Sequence, residues 1–83
     1  MIRILYFGHL ATLFGQTGED TELPADVHDI EALLRWLGRR GEIWDRVLRA
    51  NPALKVTVNK QFAEPATAVQ DGDEIALVAF AMS

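Results

Sequence analysis

His9 and His28 are the only imidazoles in this chain of 83 residues, and neither belongs to an HxH or HExxH spacing. Metal binding or proton transfer by histidine needs a second group held nearby at fixed spacing, so both read as solvated surface residues. The chain has no cysteine, which removes disulfides, a thiolate nucleophile and thiolate-ligated metal together. Asp71 and Asp73 flank Gly72 and read as turn formers instead of an acid–base pair, because Asp bonds its own backbone and Gly accepts φ > 0. Glu19, Asp20 and Glu22 are expected to keep an edge strand soluble. Gly8, Gly15 and Gly18 make no phosphate-cradling motif. No metal and no cofactor is implied. The stretch 74–80 runs out into Ala81-Met82-Ser83, and a domain whose best-buried strand ends in a short free tail is expected to be able to use that terminus.

Those ends need elements to hold them. Glu74-Ile75-Ala76-Leu77-Val78-Ala79-Phe80 is almost unbroken apolar sequence entered through the Asp71-Gly72-Asp73 turn, which reads as a strand covered on both faces. Residues 2–7, apolar at every position but Arg3, give the same signal and stop at Gly8. Leu10, Leu13 and Phe14 suit one or two helical turns closed by Gly15. Residues 19–23 suit a polar edge strand stopped by Pro24. Asp29 is a candidate N-cap, with Glu31 in the first helical turn. Ile30, Leu33, Leu34 and Leu37 then form one apolar stripe, with Arg39 and Arg40 in the last turn and Gly41 as the C′ residue. Ile43, Trp44, Val47 and Leu48 predict a shorter helix before Asn51-Pro52, and Trp36 and Trp44 are expected at the margin of the core. Residues 55–59 alternate around Val56 and Val58, and Asn59-Lys60 predicts a tight reversal into a short strand at 61–63.

The length fits a single domain over residues 1–83. A net charge of −4 without a Lys/Arg run argues against nucleic acid as a partner. No signal peptide and no apolar stretch long enough for a bilayer is evident, so no membrane role and a cytoplasmic location are expected. The order strand, strand, helix, strand, short strand, strand predicts an α+β fold of the β-grasp type. It would have a mixed sheet of about five strands, one main helix on one face, and the two terminal strands adjacent and parallel. Alternation would then send Ile2, Ile4, Val56, Val58, Ile75 and Leu77 to the helix, and Leu5, Phe7, Ala76, Val78 and Phe80 to the other face, with Phe62 beside them. One helix cannot cover both faces, so loops, a second copy or a partner must cover this apolar patch.

The N-terminal Ile-Arg-Ile-Leu-Tyr-Phe strand, Leu10 to Gly15, Asp29-Ile30-Glu31-Ala32-Leu33, Val58-Asn59-Lys60-Gln61 and Asp71-Gly72-Asp73-Glu74 occur in one order over essentially the whole chain. No single motif is specific, but the series resembles the small, sulfur-carrier subunit of molybdopterin synthase, the MoaD-like branch of the ubiquitin-like proteins. The resemblance implies a non-catalytic subunit of a sulfur-transfer complex. In that family a C-terminal Gly-Gly carboxylate is adenylated by an E1-like adenylyltransferase and converted to a thiocarboxylate, and the tail enters the large subunit. It also implies docking on both partners through Phe7, Phe62 and Val78, with Phe80 on the same face, and a working tail at Ala81, Met82 and Ser83. The chain departs from the pattern there: no Gly follows Gly72, and Met82-Ser83 stand where the glycines belong. Slim glycine suits a narrow channel, so the sequence as given is expected to dock but to carry sulfur poorly. Two other readings stay open: a β-grasp interaction module that is not a carrier, and a thiamine-pathway sulfur carrier, which needs the same glycines.

Overall fold

The structure is a computed structural model that describes residues 1–49 and 54–79. β1 (Ile2–Gly8) leads into α1 (His9–Phe14), which Gly15 closes in the left-handed conformation at φ 69°. After β2 (Gly18–Thr21) come α2 (Ile30–Gly38) and α3 (Glu42–Arg49). β3 (Lys55–Val58), β4 (Gln61–Phe62) and β5 (Glu74–Ala79) complete a five-stranded sheet in the order β2-β1-β5-β3-β4. β1 and β5 are parallel and every other pair is antiparallel. This is the mixed β-grasp sheet that the order of elements predicted, with the terminal strands side by side at its centre.

Period-two alternation sorts the strands. Ile2, Ile4 and Tyr6 of β1 and Ile75, Leu77 and Ala79 of β5 are buried, and Val56 joins them from β3. The helices supply Leu10, Ile30, Leu33, Leu37, Val47 and Leu48 to the same cluster. Among the described residues the core is apolar apart from the Tyr6 phenol, whose hydroxyl donates to Glu19 at its margin. Asp29 starts α2 as read from the sequence: its Oδ1 accepts the Ala32 N–H at 2.8 Å, which satisfies one of the free donors of the first turn. The β3–β4 reversal forms at Asn59-Lys60, with φ of 51° and 71°. Two consecutive left-handed residues match the twist of the strands they join.

Three expectations need correction. β1 and β5 are not covered on both faces: Leu5, Ala76 and Val78 are half-buried and Phe7 is exposed, because all three helices lie on one side of the sheet. The second helix stops at Gly38 instead of running to Arg40. Bonds from Arg39, Arg40 and Gly41 N–H reach back only three residues, to Trp36, Leu37 and Gly38 carbonyls at 3.3, 3.1 and 3.4 Å. Gly41 is no C′ residue; its carbonyl accepts the Asp45 N–H at 3.0 Å and so begins α3. The physical reason is close packing of α2 on α3: a Cβ at Gly38 would lie 3.0 Å from Asp45 Oδ1. The Asn51-Pro52 break, Phe80, and the tail residues Ala81, Met82 and Ser83 lie outside the described residues.

Leu33 is fully buried against the sheet, so Leu33→Ala is expected to lower unfolding free energy by about 2–5 kcal/mol in denaturant melts. A loss below about 1 kcal/mol would mean that the stripe does not carry the core.

Candidate docking surface

Residues in register across a ladder present their side chains to the same face, and the register assembles the outer face row by row. Leu5 lies opposite Ala76, Ala76 opposite Thr57, and Thr57 opposite Phe62, which makes one row across four strands. The next row is Phe7–Val78–Lys55, toward the end of the sheet where β5 finishes. At the other end Asp20–Arg3–Glu74 forms a charged row, in which Arg3 Nε donates to Asp20 Oδ1 at 3.0 Å. Three of the four aromatic and aliphatic residues read as partner-binding, Phe7, Val78 and Phe62, are therefore on one face. Phe7 and Val78 are direct neighbours, whereas Phe62 stands on the two-residue edge strand. Phe7 is 47% exposed and Phe62 85% exposed, so the described loops leave this face open.

The opposite face holds a cluster that the sequence reading missed. Glu19 is in register with Ile4, which turns its side chain inward while Asp20 turns outward. Arg40 grips both carboxylate oxygens at 2.7 and 2.8 Å, and the Tyr6 hydroxyl donates to Glu19 Oε2 at 2.8 Å. The pair is well covered, with side-chain exposures of 18% for Glu19 and 31% for Arg40. Bonds from the Arg40 guanidinium hold the Glu19 carboxyl below the ordinary carboxylate range although burial opposes this, and the Glu19 bond raises Arg40. Burial, helped by the bond to Glu19, pushes the Tyr6 phenol well above its ordinary value. The Arg40 guanidinium also lies 4.8 Å from the centre of the Trp44 ring, which stacks on Phe14 at 3.7 Å. Glu19 thus ties the edge strand to the α2–α3 corner, and is not simply a solubilising charge. Period-two alternation, with Asp20 facing out, was the signal for it. Trp36 and Trp44 sit half-buried at the core margin as expected. His9 and His28 are exposed, and among the described residues no group of three His, Cys, Asp or Glu could hold a metal ion.

A parallel central pair, the 2-1-5-3-4 strand order and helices on one side define a β-grasp protein. The chain belongs to the ThiS family, whose model matches residues 4–81. Solved structures share the fold at low identity. A Pyrococcus furiosus protein described as molybdopterin converting factor, subunit 1 superposes with a TM-score of 0.75 at 17% identity, covering 94% of both chains. SAMP1 from Haloferax volcanii gives 0.74 at 18% identity, over 99% of this chain and 97% of that one. The Amycolatopsis orientalis BexX/CysO complex gives 0.71 at 14% identity, over 100% and 99%. No curated protein sequence matches the chain.

The Glu19 pair makes a pH prediction. A carboxyl whose folded pKa is depressed contributes its full stability above its unfolded value of 4.5, and loses it as pH falls through the lower folded value. Glu19→Gln is expected to cost about 1.5–3 kcal/mol at pH 7. It should also lose less stability than the parent when urea midpoints are followed from pH 6 down to about pH 3. Parallel acid curves for the two proteins would contradict the assignment.

Proposed function

We infer that this chain is the small partner of a sulfur-transfer enzyme of the molybdopterin-synthase type, docking through the outer face of its sheet. The same face would meet the E1-like adenylyltransferase that activates a carrier's carboxylate. The observation that carries this reading is the open row from Leu5 to Phe62 with Phe7–Val78 beside it, on the face the helices do not cover. Family membership over residues 4–81 supports a carrier ancestry. The molybdopterin branch rests on the motif series from Ile2 to Glu74; a converting-factor subunit 1 shares the fold, as do SAMP1 and the BexX/CysO complex. One of the similar structures is itself a two-protein complex.

In this reading the chain brings no catalytic side chain of its own. Phe7, Val78 and Phe62 bury apolar surface against the partner, with Phe80 assigned the same role, and the tail 81–83 enters the partner's site. The chemistry belongs to the terminal acyl group. Its carboxylate attacks the α-phosphate of ATP and releases pyrophosphate; a sulfur nucleophile then adds to the acyl carbon and displaces AMP. What the chain must supply is a rigid exit direction for the tail and a slim backbone beyond it. The parallel β1–β5 pair holds the strand that precedes the tail, as far as Ala79. The second is where Ala81, Met82 and Ser83 differ from Gly-Gly, and that difference favours a second reading: a docking module that is not a carrier.

Burying a Phe side chain is worth roughly 1.5–3 kcal/mol, so Phe62→Ala is expected to weaken binding to the large subunit about tenfold or more in calorimetric titration. Unchanged affinity would remove the outer face from the interface. The tail is tested separately, by incubating the chain with activating enzyme, ATP and a sulfur donor and reading the intact mass. Thiocarboxylate is expected when Met82 and Ser83 are replaced by Gly-Gly and not in a chain ending at Ser83. Efficient conversion of the Ser83 terminus would contradict the channel argument, and no binding to either enzyme would leave only the interaction module.

A further inference from the structure

We draw no further inference here: the strongest candidate, the groove between α2 and the β3–β4 edge of the sheet, lined by Ile30, Leu34, Val56 and Phe62 together with the opposite charges of Lys55 and Glu64, is an apolar surface that nothing in the structure shows to be covered by any particular partner.

Discussion

Parallel pairing of the first and last strands is the constraint on which the rest depends. β2 and β3 flank that pair and run parallel to each other, so the connection between them must carry the chain across one face of the sheet, and α2 and α3 make that crossing. Pairing Ile4 with Ile75 and Tyr6 with Leu77 aligns the inward residues of both strands under those helices. The same register leaves Leu5 with Ala76 and Phe7 with Val78 on the far side, where no helix comes. The buried core and the open apolar face are therefore one consequence of a single register. A slip by one residue would exchange them.

Around that pair the margins are held by polar contacts. Arg40, Glu19 and Tyr6 fasten the β2 edge to the α2–α3 corner, over the stacked rings of Trp44 and Phe14. At the start of β5, Gly72 N–H donates to the Met1 carbonyl and Arg3 N–H to the Asp73 carbonyl, at 2.9 and 3.0 Å. Asn59 closes the other side, its Oδ1 accepting the Glu74 N–H at 3.0 Å. The strand that leads to the tail is thus fixed at its entry by both neighbours. A rigid strand with one open face is what a docking subunit needs, since a preorganised surface lowers the ordering cost of association.

The fold was legible because its signals are local. The Asp29 cap, the 30-33-34-37 stripe and the Asn59-Lys60 reversal each depend on a few neighbouring residues. The candidate face was legible as well, from alternation alone. Full coverage of the terminal strands was misread, because a strand buried by its own helices and a strand with one open apolar face have the same composition. Glu19 was misread for a different reason. It and Arg40 are 21 positions apart, and only the register of a short polar edge strand decides which acid of Glu19-Asp20 turns inward. The end of α2 was misplaced because Gly38, not Gly41, is where two helices touch, which is a tertiary fact.

The central claim is that the open face of the sheet, and not the helical layer, is what partners touch. Methyl-resolved NMR of the labelled chain, titrated with the unlabelled large subunit, reads this directly. The account predicts shifts or broadening at Leu5, Ala76 and Val78 methyls, with the exposed Leu13 and Ile43 on the helical side unmoved. Perturbations confined to Leu13, Ile43 and their neighbours, with the sheet methyls unchanged, would contradict it.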